Sequence, residues 1–334
     1  MSTIPTRERR SGVLDAVCVG ETMAMLTPVS AAPLAERPDL ALEVGGAESN
    51  VACGLARLGH RVAWYSRVGD DPFGRMITGA LAGNGVEVGG VEVDRDRPTG
   101  IYVKDPGPVG TTVYYYRKGS AASAMGPEHA GPAMPGPSRL VHLSGITPAL
   151  SPSCSALVDR LLADRGPGGP LLSFDVNHRP ALWSPGDAAD RLLGLARAAD
   201  VVFVGRDEAE ALWATASADD VRTLLPDVGC LVVKDAEHGA TCFEEARRVH
   251  VPAPVVTVVE PVGAGDAFAA GYLSGLLTGR TVRDRLRLGH LCAAVTLRCV
   301  GDLAPLPPAT AVERLIALDD DVWVKEATAA AAAM

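Results

Sequence analysis

Short apolar runs rich in β-branched residues alternate with helix-forming segments from about Val13 onward, and this alternation restricts the fold more than any other feature. Parallel strands need a long crossover connection, usually a helix, so the order predicts a mostly parallel sheet with helices on both faces. We predict strands at residues 15–20, 61–65, 140–143, 171–174, 201–204, 231–233 and 255–259. We predict helices at 49–58, 72–82, 188–199, 207–216 and 266–277. The predicted class is α/β.

Two regions interrupt this order, at about 23–44 and 91–118, because polar and apolar residues alternate there without an intervening helix. We interpret both regions as strands of a small accessory sheet. The second region holds four of the six tyrosines, Tyr102, Tyr114, Tyr115 and Tyr116. Such clustering is typical of a ligand surface, and equally of a strand that packs its rings on the core.

The composition favours a globular protein with a sizeable core, since 47% of the 334 residues are hydrophobic and the formal net charge is -9. An acidic chain without a long Lys/Arg block lacks the surface that binds nucleic acid or anionic lipid, so we expect neither partner. No apolar run reaches the roughly 18 residues of a membrane span, and the N-terminus has no signal-peptide core. The seven cysteines are scattered without a CxxC pattern, which predicts neither a disulfide framework nor a zinc site. We expect a cytoplasmic protein.

The strongest chemical signal is the segment 258–266, VVEPVGAGD, in which an apolar run enters a glycine-rich turn and then a long helix. Gly263 and Gly265 permit close backbone approach, and the amides at a helix N-terminus favour an anion such as phosphate. Asp266 stands where that positive potential is greatest, either as a reacting carboxylate or simply as the helix N-cap. The chain contains neither a GxxxxGK[ST] loop nor a complete dinucleotide fingerprint.

With this turn and a second one, residues 45–50 (GGAESN), the chain resembles the ribokinase-like or PfkB sugar kinases over almost its whole length. The first turn is similar to the family's sugar-contacting GGAxxN motif and the second to its GAGD motif. The resemblance implies a three-layer α/β/α domain at 13–320, with a mostly parallel central sheet and a small β-sheet lid from about 23–44 and 91–118. It leaves 1–12 and 325–334 as flexible tails.

Three segments resemble the branch that phosphorylates 2-keto-3-deoxygluconate, namely YYRKGSAAS at 115–123, HLSGIT at 142–147 and FDVNHRP at 174–180. That branch phosphorylates the terminal (6-) hydroxyl to give 2-keto-3-deoxy-6-phosphogluconate. The resemblance implies a sugar-acid pocket formed by Gly46, Asn50, Tyr102, Tyr115, Tyr116, Arg117, Arg179, Asp266 and Asp302. Arg117 is the first candidate for the substrate carboxylate, because a planar guanidinium suits that group. Arg179 could instead form a surface ion pair, and Asp302 could belong to a simple Gly-Asp turn.

The resemblance also implies an ATP site. Its residues would be Asn177, Arg179, Gly205, Lys234, Glu237, Gly239, Gly263, Gly265 and His290, with Mg²⁺ held indirectly through Glu208. Lys234 could equally be a solvated charge at a strand end, and His290 a hydrogen-bonded histidine within a helix.

The chain departs from the broad family at Met25, Gly205, Ala236 and Glu260-Pro261, and from the nearest branch at His178. Met25 replaces a sugar-binding Asp, which argues against ribose. Gly205 replaces the Asn of an NxxE motif, and Glu260-Pro261 replaces Asp-Thr, so the mode of Mg²⁺ binding and any monovalent cation stay open.

In the implied reaction Asp266 accepts the hydroxyl proton, and the amides of Ala264 and Gly265 stabilise the phosphoryl oxygens. The lid excludes water, and by resemblance it also forms a dimer or larger oligomer. The partners are then a small sugar acid and ATP. Two alternatives remain: a kinase for another sugar, such as fructose or 5-dehydro-2-deoxygluconate, and a catalytically silent sugar-binding regulator. The sequence does not separate gluconate from galactonate forms of the substrate.

Overall fold

The computed structural model describes residues 12–30, 32–107, 110–130, 137–163, 168–184, 186–299 and 309–333. The strands are β1 Leu14–Val19, β2 Met23–Pro28, β3 Leu40–Gly45, β4 Val62–Tyr65, β5 Arg67–Gly69, β6 Glu92–Asp94, β7 Ile101–Gly107, β8 Gly110–Tyr116, β9 Ser138–Ser144, β10 Leu171–Asp175, β11 Val201–Gly205, β12 Cys230–Asp235, β13 Gly239–Glu244 and β14 Arg247–Val251. The α-helices are α1 Ala47–Arg57, α2 Pro72–Gly83, α3 Pro152–Ala163, α4 Asp187–Ala198, α5 Arg206–Trp213, α6 Ala218–Leu224, α7 Ala264–Leu277, α8 Val282–Thr296, α9 Ala309–Ile316 and α10 Asp320–Ala333.

An eight-stranded sheet in the order β14-β13-β12-β11-β10-β9-β1-β4 forms the centre of the molecule. The pairs from β4 to β12 are parallel, and β13 and β14 extend the sheet with antiparallel pairs. Successive residues of a strand point to opposite faces, so Val17 and Cys18 of β1 enter different hydrophobic clusters. Helices cover both faces, which confirms the predicted three-layer α/β/α fold.

A separate four-stranded sheet in the order β3-β2-β7-β8 forms the predicted accessory sheet, called the lid below. The expected region 91–118 is only partly lid, because β6 at its start pairs with β5 in a small two-stranded sheet. The lid lies over the point where α1 begins, since β3 ends at Gly45 and Gly46 is the N-cap of α1.

Two predictions for the C-terminal part were wrong. Residues 255–259 form an irregular loop rather than a strand. The segment 325–333 belongs to α10 rather than to a flexible tail, because Trp323, Ala327 and Ala331 recur every four residues and are buried. The predicted site residue Asp302 and the expected N-terminal tail 1–11 lie outside the described residues. In the described ranges, none of the helices has the length and apolar character needed to cross a bilayer.

Candidate active site

A cavity of about 800 Å³ lies between the lid and the carboxyl ends of the parallel strands. Strand ends of this kind are the usual ligand position in open α/β sheets, because the loops leaving them diverge. Asp175, Gly205 and Lys234 line the cavity from the last residues of β10, β11 and the end of β12. The lid contributes Tyr102 and Arg117 from the opposite side.

The N-terminus of α7 opens into this cavity. Gly263 is the N-cap and has φ 82, a left-handed conformation that favours glycine. No side chain caps the helix, so the Gly265 amide is available to an anion, while the Ala264 amide makes a long hydrogen bond of 3.4 Å to the Pro261 carbonyl. A Cβ added to Gly265 would lie 3.5 Å from Lys234 Nζ, which places an ammonium beside the same turn.

Asp266 is the third residue of α7, and the N-cap interpretation of this aspartate is therefore wrong. Its side chain reaches another helix, where Asn50 Nδ2 donates a hydrogen bond of 2.9 Å to Asp266 Oδ2. Asn50 is buried in the first half of α1, just after the glycine turn. The two glycine-rich motifs, 216 residues apart, thus meet through one hydrogen bond at the floor of the cavity.

Arg117 is buried where the lid meets the cavity, and it is paired with Glu21. Arg117 Nε donates to Glu21 Oε2 at 2.7 Å, and Ser120 Oγ donates to the other carboxylate oxygen. The guanidinium lies 5.7 Å from the ring centroid of Tyr115, whose ring is 5.8 Å from that of Tyr102. A fixed cation beside two aromatic rings forms one wall of the cavity.

The tyrosine cluster divides between two faces of the lid. Tyr102 and Tyr115 are cross-strand partners that line the cavity, whereas Tyr116 is 68% exposed and does not line it. Strand alternation causes the difference, because neighbours in β8 must point to opposite sides. The expectation that Tyr116 contacts the sugar was wrong for this chain.

Lys234 is held by acidic side chains rather than by water. Its Nζ lies 2.8 Å from Asp175 Oδ2, and the predicted alternative of a solvated strand-end charge was wrong. Burial lowers the pKa of Lys234, but Asp175, Glu208 and Asp266 raise it more, so the pKa ends above its ordinary value. Lys234 therefore stays an ammonium among three carboxylates.

Glu208 lines the cavity from the first turn of α5. Its carboxylate accepts hydrogen bonds from the Gly205 amide at 2.8 Å and the His178 amide at 3.1 Å. Burial raises the pKa of Glu208, while Lys234 opposes that rise. No group of three acidic, His or Cys side chains in the described part of the chain could hold a metal ion directly. Mg²⁺ commonly binds through phosphates, waters and one or two carboxylates, and Asp175 with Glu208 fits that pattern.

Arg179 and Asn177 follow β10 at the cavity rim. The side chain of Arg179 is 47% exposed, with its Nη1 3.1 Å from the His178 carbonyl and 3.9 Å from Glu208 Oε1. Both predicted features of Arg179 are therefore present, the surface ion pair and the position at the cavity. Asn177 is buried with φ 37 and also lines the cavity.

The other end of the cavity is apolar. Its wall is the loop 252–262, in which Val255, Val258 and Val259 are more than half exposed. Glu237, Gly239 and His290 line the same end. His290 Nε2 lies 3.0 Å from the Val251 carbonyl, and burial lowers the pKa of His290 to about 4. This histidine is neutral and already hydrogen-bonded, so it contributes shape more than charge.

Sequence reasoning missed Lys104 and Glu260 as a pair. Lys104 is on β7 of the lid, two residues after Tyr102 on the same face, and is 3% exposed. Its Nζ lies 3.2 Å from Glu260 Oε2, in the loop that leads to Gly263. The period-2 alternation of β7 could have revealed this inward lysine, but its partner could not be found from local pattern.

Glu48, next to the sugar-motif helix N-terminus, was also missed. It is fully buried, and it accepts hydrogen bonds from Ser144 Oγ at 2.7 Å and Thr147 Oγ1 at 2.8 Å. Burial raises the pKa of Glu48, and the hydrogen bonds only partly oppose this. Through these two hydrogen bonds Glu48 links α1 to the end of β9 and the turn that follows it.

We predict that Glu48→Gln changes how stability depends on pH. Because the folded pKa of Glu48 is above its ordinary 4.5, the folded state holds a proton that the unfolded chain has lost, and this contribution falls as pH rises. The glutamine variant has no carboxyl group to titrate at this position. Its free energy of unfolding should therefore increase relative to that of the wild type as the pH rises from 5 to 9, by about 1.4 kcal/mol per unit of pKa shift. Urea unfolding of both proteins across that range is the measurement. Parallel curves would contradict a raised pKa at Glu48.

The known proteins that this chain is similar to are carbohydrate kinases. The sequence profile of the family described as "pfkB family carbohydrate kinase" matches residues 13–309. A 2-dehydro-3-deoxygluconokinase of Bacillus subtilis is 36% identical over 88% of this chain and 93% of that protein. A 2-dehydro-3-deoxygalactonokinase of Haloferax volcanii is 34% identical over 90% of this chain and 96% of its own length.

Solved structures extend the comparison. The PfkB protein from Polaromonas sp. JS666 is 33% identical, with a TM-score of 0.80 over 92% of this chain and all of that one. A Vibrio cholerae fructokinase with fructose, ADP and calcium bound is 26% identical, with a TM-score of 0.78 over 90% of this chain and 98% of that one. The family match includes the lid, both glycine motifs and every strand, and it ends before α10.

Proposed function

We propose that this chain, which belongs to the pfkB family of carbohydrate kinases, transfers the γ-phosphate of ATP to the 6-hydroxyl of 2-keto-3-deoxygluconate. The product is 2-keto-3-deoxy-6-phosphogluconate. The observation that carries the substrate is the buried Arg117 beside Tyr102 and Tyr115, across the cavity from Asp266. A substrate with a carboxylate at one end and a reacting hydroxyl at the other fits a site with a cation at one side and a base at the other. The B. subtilis relative is named 2-dehydro-3-deoxygluconokinase, and 2-dehydro-3-deoxygluconate is another name for 2-keto-3-deoxygluconate.

Asp266 acts as the general base in this proposal. Asn50 donates to Asp266 Oδ2 and so fixes the side chain, whose carboxylate accepts the proton of the attacking hydroxyl. The Asp266 carboxylate also lies close enough to Lys234 to raise the pKa of that lysine.

Charge on the transferred phosphoryl group is stabilised by groups already in place. The Gly265 amide and the ammonium of Lys234 lie at the same turn and need no reorganisation during the reaction. The Ala264 amide exchanges its 3.4 Å hydrogen bond to the Pro261 carbonyl for one to a phosphoryl oxygen. Lys104 extends this positive potential from the lid side, held beside the turn by Glu260. Phosphoryl transfer depends mainly on such positioning and charge neutralisation.

ATP lies along the strand ends, with its base against the exposed valines of the loop 252–262 and its phosphates towards Lys234. Mg²⁺ neutralises the phosphate charge when bound, and Asp175 and Glu208 would hold its water ligands. Glu260 is already neutralised by Lys104, so the proposal includes no monovalent cation. We place the activity in the cytoplasm, where ATP is supplied and where free thiols such as the buried Cys230 and Cys292 are kept reduced.

The test of the function is a coupled ADP-release assay with ATP and Mg²⁺, comparing kcat/KM among candidate acceptors. We expect 2-keto-3-deoxygluconate to exceed the uncharged acceptors fructose, ribose and adenosine by at least tenfold, because only an acceptor with a carboxylate pairs with Arg117. The acid 5-dehydro-2-deoxygluconate carries the same charge, so it tests the position of the keto group instead. The galactonate isomer is included, and it should differ less, since one inverted hydroxyl changes only a hydrogen bond or two. Preference for a neutral sugar would refute the substrate, and turnover with none would favour a silent binding protein.

Arg117→Ala is the matched variant for this panel. It should raise the KM for the keto acid and leave the KM for ATP within about twofold, because Arg117 faces only the sugar half of the cavity. Glu21→Gln separates position from charge, since it keeps Arg117 but weakens the bond that orients it. If Arg117→Ala leaves the keto-acid KM unchanged, the arginine does not bind the carboxylate.

We predict that Asp266→Asn lowers kcat by more than a hundredfold, the lower end of the effect of a general base. The asparagine has the same shape and can still meet Asn50, but it cannot accept the proton. ADP binding, measured by calorimetry, should stay within about threefold of the wild type. Turnover near the wild-type rate would exclude Asp266 as the base.

The outer face of the lid suggests a homo-oligomer. Its register places Leu26 opposite Leu42 and Val103 opposite Tyr114, and all four side chains are at least partly exposed. This apolar surface extends over both the edge strands and the central strands of the lid. A two-fold interface uses the same surface on both subunits, so we propose that a second copy of the chain covers it.

Sedimentation equilibrium tests this surface. The wild type should be a dimer or larger, and the double variant Leu42→Lys/Tyr114→Lys should be a monomer, because buried charge would face buried charge. Val322→Lys, on the exposed face of α10, is the control and should sediment like the wild type. A monomeric wild type would contradict the proposal.

A further inference from the structure

The apolar wall of the cavity has no secondary structure to support it. Residues 252–262 run from the end of β14 to the N-cap of α7 without forming a strand or helix. Pro254, Val256 and Val258 line the cavity from this loop. A loop that presents exposed apolar side chains needs other contacts to keep its course.

Helix α10 supplies those contacts at the start of the loop. Trp323 Nε1 donates to the Pro252 carbonyl at 2.9 Å, and the Val255 amide donates to Thr328 Oγ1 at 2.9 Å. The Pro252 carbonyl and the Val255 amide are both backbone groups, so these two hydrogen bonds fix the path of the loop directly. Farther along, the Val259 amide donates to the Leu297 carbonyl at 2.7 Å, where α8 ends.

Trp323 is itself held firmly. It is 1% exposed, and the Arg287 guanidinium lies 4.8 Å from its ring centroid. Arg287 also donates to the Ile316 carbonyl at 2.8 Å and to Asp320 Oδ1 at 2.7 Å. Arg287 therefore joins α8, the end of α9 and the start of α10 into one support for the loop.

We propose that α10 is a positioning element for the nucleotide: through Trp323 and Thr328 it holds the loop 252–262 in the course that packs against the base of ATP. The inference rests on the proposed ATP site and adds an element that the family match, ending at residue 309, does not include. No residue of α10 lines the cavity, so its effect passes through other residues. Pro252 and Val255 carry it directly, and Arg298, which donates to the Ala331 carbonyl of α10, lies next to the Leu297 carbonyl that holds Val259.

The experiment compares Trp323→Phe, Thr328→Val and the double variant with the wild type. Each single variant removes one hydrogen bond, so we expect the ADP dissociation constant and the KM for ATP to rise roughly 2- to 10-fold. Thr328→Val keeps the shape of its side chain, whereas Trp323→Phe also shortens a buried ring. The KM for the sugar acid and kcat should stay within about twofold. Calorimetry with ADP and Mg²⁺ gives the first quantity, and initial rates give the others.

Two controls separate positioning from general stability. Thr328→Ser restores the hydroxyl and should restore ADP affinity, whereas Lys325→Gln, on an exposed position of the same helix, should change nothing. Thermal unfolding of every variant identifies any that is merely unstable, and the Val/Ser pair at position 328 remains decisive if Trp323→Phe unfolds.

The outcomes distinguish this inference from the proposed function. Wild-type ADP affinity in the folded double variant, or an equal rise in both KM values, overturns the role of α10. A wild type that binds ADP but phosphorylates no sugar contradicts the substrate assignment alone, and the same ADP data still decide the role of α10. A wild type that does not bind ADP overturns both.

Discussion

The close approach of α1 and α7 is the contact on which the site depends. A Cβ added to Gly54 of α1 would lie 2.6 Å from the Cβ of Ala270 in α7, so only glycine permits this spacing. The two helices are far apart in the sequence, and the contact between Gly54 and Ala270 brings their first turns close together. Asn50 then reaches Asp266, and one bond of 2.9 Å fixes the carboxylate between the two glycine motifs. A wider helix pair would separate Asp266 from the glycine turn before α1 even if every residue lining the cavity were retained.

The cavity keeps its cations paired with acids. Arg117 pairs with Glu21, Lys234 with Asp175, and Lys104 with Glu260. A buried unpaired charge would cost several kcal/mol, so pairing stabilises the empty site. The same pairs keep each donor in a fixed place before any substrate enters, which lowers the cost of ordering it later. The net effect is a site that is prepared for anions without carrying a large uncompensated positive charge in an acidic protein.

Much of this arrangement could be predicted from the sequence, because it is local. The alternation of strands and helices predicted the layers, and Gly263 to Asp266 predicted the glycine-rich turn that begins α7, since such turns are specified by adjacent residues. What failed depended on tertiary contacts. Tyr115 and Tyr116 are identical in type, and only the register of β8 with β7 decides which ring enters the cavity. The run 255–259 has strand-forming residues but no neighbouring strand to pair with.

The alanine-rich end of the chain shows the same limit most clearly. Residues 325–333 are mostly alanine, so their sequence predicts no packed face. Intrinsic helix propensity alone would leave a short terminal helix frayed. Trp323 changes the outcome because it fills a buried position against Arg287, and each later turn adds a buried alanine. These buried contacts offset the conformational entropy lost when α10 becomes ordered. The packed helix can then support a loop that has no secondary structure of its own. The loop is therefore fixed at its start by α10 and near its end by Lys104 of the lid, through Glu260. The two ends of the loop therefore have separate supports: displacing Lys104 would act on the end that carries Gly263, and displacing Trp323 would act on the end at Pro252.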